Sequence, residues 1–193
     1  MSLHTLETPR LLIRRFTMDD FDDIHRILDL DMQFGEATRK QRADWLHWTV
    51  MNDVQLEWLH QPPYGDKAVV LKESNRLIGA VGLVPAVTPA AQLPYYSANP
   101  TPNARIRPEV GLYYAFDPAY QRKGYATEAV RALVDYAFKE LRLERIIATT
   151  DYANERSQAM MRRLGMSIQR NPFLDPFWCE VVGILEHPDK QME

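Results

Sequence analysis

A single α/β domain is the fold class this chain predicts, and three observations carry the prediction. Its 193 residues, 46% of them hydrophobic, suffice for one sizeable core and are few for two. Glu109 to Phe116 (EVGLYYAF) alternates as a strand does: Val110, Leu112, Tyr114 and Phe116 share one face, and Glu109, Gly111, Tyr113 and Ala115 the other. From Gly124 the period changes. Ala126, Ala129, Val130, Leu133, Val134, Ala137, Phe138 and Leu141 follow the spacing of an amphipathic helix.

The other elements follow in chain order. Leu11 to Ile13, flanked by arginines, reads as a first strand. Thr17 caps a helix with apolar positions Phe21, Ile24, Ile27 and Leu28, which Gly35 ends. A second helical region, Arg39 to His60, carries Trp45, Trp48 and Trp58, expected in core or interface packing, with the wall of an acceptor pocket as the alternative. Lys67 to Lys72 and Arg76 to Leu83 form an antiparallel hairpin about Glu73, Ser74 and Asn75. Pro85 to Pro108 holds six of the thirteen prolines and the adjacent Tyr95 and Tyr96. That composition predicts a long loop, either a lid bordering the acceptor side or a disordered excursion. Arg145 to Thr150 is a strand, Glu155 to Leu164 a helix stopped by Gly165, and Met166 to Gln169 and Trp178 to Leu185 the closing strands.

Composition excludes several function classes. A formal charge of −3 with interspersed signs offers no broad basic field for nucleic acid. MSLHTLETPR has no apolar run of signal-peptide length, and the most apolar stretch, Leu77 to Val87, carries two glycines and a proline. A cytoplasmic protein without a membrane partner is expected. Cys179 is the only cysteine, so one chain builds neither a disulfide nor a thiolate metal site, and a buried thiol is expected. His4, His25, His47, His60 and His187 show no HExxH or paired ligand spacing, so no metal is expected, and no GxSxG elbow occurs.

The chemistry points to Asp117 to Val130, DPAYQRKGYATEAV, where a strand turns into a helix through a glycine and two adjacent cations. The first turn of a helix presents N–H groups without intrahelical acceptors and the positive end of its dipole, so an anion, naturally a phosphate, is the expected guest. Arg122 and Lys123 add charge, and Gly124 lets the backbone approach. Neither GxxxxGK[ST] nor GxGxxG after the first strand is present, so neither the P-loop nor the dinucleotide scheme applies.

Gln121-Arg122-Lys123-Gly124-Tyr125-Ala126 resembles the Q/R-x-x-G-x-G/A pyrophosphate loop of the GNAT superfamily of N-acetyltransferases. PEVGLYYAFDPAY before it resembles the family's fourth strand, ATEAV after it the long helix, and Asp151 to Ser157 through Leu164-Gly165-Met166 the N-x-x-S…LGF-like segment. The opening TPRLLIRRFTMDD is similar to the branch typified by ribosomal-protein N-terminal acetyltransferases, so the likeness runs from about Thr8 to Leu185. Ala126 stands where some members have glycine, and Met166 where phenylalanine is common.

The resemblance implies a mixed, mostly antiparallel sheet, splayed between strands four and five and flanked by helices. The whole chain, 1–193, would be one acetyltransferase domain with the segment 85–108 as an insertion. It implies acetyl-CoA as cosubstrate, bound through Gln121, Arg122, Lys123, Gly124, Tyr125, Ala126 and Thr127, with Asn154 on the pantetheine arm or as a helix cap. Ser157 would protonate the leaving thiolate, or only cap its helix; Glu109 would accept the amine proton, or only end a strand beside Arg105 or Arg107. Glu128 matches the family's TEA segment and is assigned to structure. The acceptor would be a primary amine, favoured as a protein or peptide N-terminus, with antibiotics, polyamines and amino acids as alternatives. A non-catalytic acyl-CoA sensor is the rival class, and a homodimer is compatible with either.

Overall fold

The structure, a computed structural model, describes residues 5–32, 37–173 and 175–192. Its strands are β1 (Thr5–Glu7), β2 (Leu11–Arg14), β3 (Gly65–Leu71), β4 (Arg76–Pro89), β5 (Ile106–Phe116), β6 (Arg145–Thr150), β7 (Ser167–Arg170) and β8 (Val181–Glu186). The α-helices are α1 (Phe21–His25), α2 (Arg39–Trp58), α3 (Tyr125–Lys139) and α4 (Glu155–Arg163). The strands form one sheet in the order β1-β2-β3-β4-β5-β6-β8-β7. β5 and β6 pair parallel, while β1–β2, β2–β3, β3–β4, β6–β8 and β7–β8 pair antiparallel, the mixed and mostly antiparallel sheet expected. Sequence reading missed β1, whose three residues are too few to show a period. The chain divides into two compact units, Met1–Val84 with Tyr113–Tyr136, and Pro85–Leu112 with Ala137–Glu193.

In the first unit the hairpin β3–β4 runs in register from Gly65 opposite Leu83 to Leu71 opposite Arg76, with one irregularity between Val69 and Val70. The first helical segment is a 3-10 turn over Met18–Asp20, then α1, then a π turn over Arg26–Asp31. Asp20 starts it by accepting the Thr17 backbone N–H at 2.8 Å. The predicted stop at Gly35 lies outside the described residues. Phe16, Ile24, Ile27, Leu28 and Leu46 pack on Ala68, Ala80 and Ala115 of the strands.

α2 forms where a second helical region was expected, and its tryptophans divide. Trp45 meets Phe16 edge-on at 5.7 Å, but Trp48 and Trp58 are exposed, at 56% and 78%. The buried positions of α2 are Arg42, Leu46, Thr49 and Asp53. Arg42 binds Asp29 at 2.9 and 2.7 Å, and the wholly buried Lys67 reaches Asp53 at 2.8 Å. A helix that buries ion pairs and exposes tryptophans defeats a reading based on apolar spacing. Such a pair adds little over an apolar contact, yet removing one partner costs about 3–5 kcal/mol.

In the second unit β6 and β8 pair over six positions, from Arg145 opposite Glu186 to Thr150 opposite Val181. β5 and β6 share only Gly111 opposite Ile147, so their ladder is short, as a splayed pair requires. Leu93, Ile147, Cys179, Val182 and Ile184 form the core, and burial pushes the Cys179 thiol up to about 11. The segment from Pro85 to Pro108 is a loop only over 90–105, because β4 runs on to Pro89 and β5 begins at Ile106. Proline removes one N–H, which a strand tolerates where that position makes no ladder bond. The loop is also ordered by its own bonds. Gln92 donates to the carbonyls of Pro102 at 3.1 Å and Asp175 at 3.0 Å, and its amide oxygen accepts from Asn171 at 2.7 Å. No described helix is long and apolar enough to cross a membrane.

Candidate active site

The loop between β5 and α3 lies in the first unit. Asp117 opens it, accepting the Ala119 N–H at 2.8 Å through one oxygen and the Arg26 guanidinium at 2.8 Å through the other. Gln121 donates from its side chain to the Phe116 carbonyl at 3.0 Å, tying the loop to the strand it leaves. Arg122 and Gly124 have φ of 61° and 82°, whereas Lys123 does not enter the left-handed region. A backbone alternating in this way gathers successive N–H groups into an anion-binding concavity. Arg122, Lys123 and Gly124 are exposed, and α3 begins at Tyr125. A Cβ on Gly124 would lie 3.3 Å from the Arg10 guanidinium, besides requiring a φ that costs an L-residue about 1–2 kcal/mol. Pyrophosphate fits this cradle: open backbone, two cations and a helix start.

Arg10 fixes the cradle and was missed as a site residue, although it stands in the quoted TPRLLIRR opening. Its guanidinium binds Glu128 at 2.6 Å and the Lys123 carbonyl at 3.0 Å, and it lies 4.4 Å over the Tyr125 ring. Thr8 donates to Glu128 at 2.6 Å as well. Burial works to raise the Glu128 carboxyl, but the bonds from Thr8 and Arg10 and the charge of Arg10 outweigh it and hold the group below its ordinary value. Glu128 is thus structural in its contacts, as expected.

Glu109, Asn154 and Ser157 lie in the second unit. Glu109 meets Arg145 in a bidentate pair at 3.1 and 3.1 Å, with its side chain 4% exposed. Its partner is therefore the first residue of β6, which sequence reading did not name; Arg105 and Arg107 were the expected neighbours. Burial works to lower the Arg145 pKa, and the Glu109, Tyr96 and Glu186 neighbours more than reverse it. Asn154 caps α4, its amide oxygen accepting the Ser157 N–H at 3.0 Å. Ser157 is half-buried in the first turn of α4. Buried Gln158, also missed, steadies the preceding turn by donating to the carbonyls of Asp151 at 3.3 Å and Tyr152 at 2.9 Å. Leu164 and Gly165, φ 84°, end the helix as read from sequence.

The Acetyltransferase (GNAT) domain family matches residues 10–167. YnaD of Bacillus subtilis, an uncharacterized N-acetyltransferase, is 48% identical over 58 residues, 30% of this chain and 33% of its own. YjcK of the same organism, which also carries the N-acetyltransferase name, is 32% identical over 123 residues, 61% of this chain and 59% of its own. The matched stretches thus span about a third and about three fifths of these two relatives. Among solved structures, a ribosomal-protein-S5-alanine acetyltransferase from Vibrio fischeri superposes with a TM-score of 0.66 at 18% identity, covering 96% of this chain and 97% of that one. That likeness is one of fold. With the family match spanning Arg10 to Ser167, and with the loop, long helix and Asn154 turn all inside it, the chain belongs to the GNAT acetyltransferase family.

Proposed function

We propose that this protein is an acetyl-CoA-dependent N-acetyltransferase, acting on the α-amine of a protein or peptide N-terminus by direct transfer in a ternary complex. The observation that carries the reading is the left-handed Gly124 cradle opening α3, held from behind by Arg10 and Glu128. Acetyl-CoA supplies the activated acyl group, and the assignments of this chain's residues follow from chemistry. The cradle, Gln121 to Thr127, holds the pyrophosphate through backbone N–H groups, with Arg122 and Lys123 adding charge. The Asn154 amide holds the pantetheine arm while its oxygen caps α4. The short β5–β6 ladder leaves strand edge for the pantetheine amides to pair with.

Ser157 is assigned the proton for the departing thiolate. Glu109 is assigned the amine proton, directly or through water. The Arg145 pair takes one lone pair on each Glu109 oxygen, which leaves the carboxylate's outward lone pairs as the acceptors. The acceptor amine needs modest help. A peptide α-amine has a reference pKa of about 8 and lysine about 10.4, so near neutral pH the former presents far more of the reactive form. Soluble acetyl-CoA and a single buried thiol suit a cytoplasmic setting.

Thiol release from acetyl-CoA, measured with peptides beginning in Ala or Ser, their Nα-blocked counterparts, spermidine and an aminoglycoside, tests the proposal. Free N-terminal peptides should give the highest kcat/KM and the blocked ones none. Preference for a polyamine or antibiotic would replace the acceptor class, and absence of thiol release with every amine would leave a binding protein instead.

A further inference from the structure

The second unit holds a pocket of about 810 Å³ that the transfer chemistry does not use, walled by Tyr95 and Tyr96 of the ordered loop and by Arg107, Arg145, Glu186 and Lys190. We infer that this pocket binds a small oxyanion, a carboxylate or a phosphate, between Arg107 and the Tyr96 hydroxyl. Every carboxylate there already faces a cation of this chain. Glu186 accepts from Tyr95 at 2.9 Å and Arg145 at 3.2 Å, and takes Lys190 at 3.3 Å on its other oxygen. Glu144 takes the same lysine, and Glu109 the rest of the Arg145 contacts. Glu186, Glu144 and Glu109 are therefore each charge-paired, and a cationic ligand would find no unpaired carboxylate among them.

The donors are not so committed. The Tyr96 hydroxyl oxygen is buried with no hydrogen-bond partner among the described residues, an unfavourable state for a polar group. Arg107 makes no ion pair among the described residues; its guanidinium lies 5.1 Å from the centre of the Tyr96 ring. Arg145 lies 5.5 Å from the same ring and has used three of its five N–H groups. An oxyanion seated here would take a forked pair from Arg107 and the hydroxyl of Tyr96. Burial pushes the Tyr96 phenol up to about 12, so it remains a donor at neutral pH.

Calorimetric titration of the full chain without acetyl-CoA, using inorganic phosphate and separately benzoate, tests the site. The Gly124→Val chain is titrated beside wild type, so that phosphate binding in the α3 cradle is told apart. At least one anion should bind saturably in both chains. Arg107→Ala should weaken that binding by about tenfold or more and Tyr96→Phe by about threefold or more, with both variants folded by circular dichroism. Which anion binds more tightly assigns carboxylate or phosphate. Absence of binding by both anions, or an unchanged affinity in either pocket variant, overturns the inference, and neither result bears on acetyl transfer.

Discussion

Glu109→Gln separates two roles that one carboxylate can play. Its side chain is 4% exposed and both oxygens are engaged by Arg145, itself 13% exposed. Glutamine keeps the volume and one acceptor but turns an NH2 group toward a guanidinium that can only donate. Removing one member of a buried pair costs about 3–5 kcal/mol. Here Arg145 retains Glu186 at 3.2 Å, so the expected loss is smaller, about 2–3 kcal/mol by urea unfolding. Full pH profiles of kcat are the second assay. If Glu109 accepts the amine proton, the deficit shrinks as pH rises past about 8, where a peptide α-amine is already neutral. A deficit constant over the whole profile refutes the proton-acceptor role and leaves Glu109 as the group that positions β6 through Arg145. Wild-type stability in the variant would refute the reasoning from the ion pair.

Ser157→Ala should lower kcat with little change in acetyl-CoA affinity, and the deficit should persist at high pH; wild-type turnover would reduce the serine to part of the Asn154 cap. Asp66→Asn should stabilise the protein, because burial pushes the carboxyl from 3.8 up to about 6 despite the charges of Lys67 and Arg42, with Asp53 acting in the same direction as burial. A folded pKa raised in this way favours folding only below the ordinary value and is lost as pH rises through 6. The gain should therefore be about 3 kcal/mol at pH 7.5 and under about 1 kcal/mol near pH 4, read from urea midpoints. Arg10→Ala should weaken CoA binding by about tenfold through the cradle, with titration calorimetry as the check. Gln92→Ala should loosen the 90–105 loop, since it breaks two bonds to carbonyls and one to Asn171, and amide exchange at Thr101 should rise.

The sequence was legible where one face is wet and the other dry. α3 has that character, burying Ala129, Val130, Leu133, Val134, Ala137 and Phe138, whereas β5 buries residues of both faces at Gly111–Leu112 and Ala115–Phe116; the bounds of both stand within a few residues of the expected ones. The Gly124 loop was legible for another reason: its backbone demand, a left-handed glycine before a helix, writes itself into residue type. The bounds of α2 were legible, Arg39–Trp58 against the expected Arg39 to His60, but its buried face was not, because it turns Arg42, Thr49 and Asp53 inward and Trp48 and Trp58 outward. The 85–108 segment misled because prolines mark where a donor is missing rather than where a strand must stop. The partners of Glu109 and Glu128 are Arg145, 36 residues away, and Arg10, 118 away; such pairings are tertiary and leave no local pattern.

Acetyl-CoA binding by Gly124→Val, followed by calorimetry on folded protein, bears most directly on the central assignment. A branched side chain must either hold a φ of 82° or unwind the cradle, and its Cβ would start 3.3 Å from the Arg10 guanidinium. The dissociation constant should rise by about tenfold or more, equal to about 1.4 kcal/mol, and thiol release should fall with it at subsaturating acetyl-CoA. An unchanged dissociation constant would contradict the assignment of the loop.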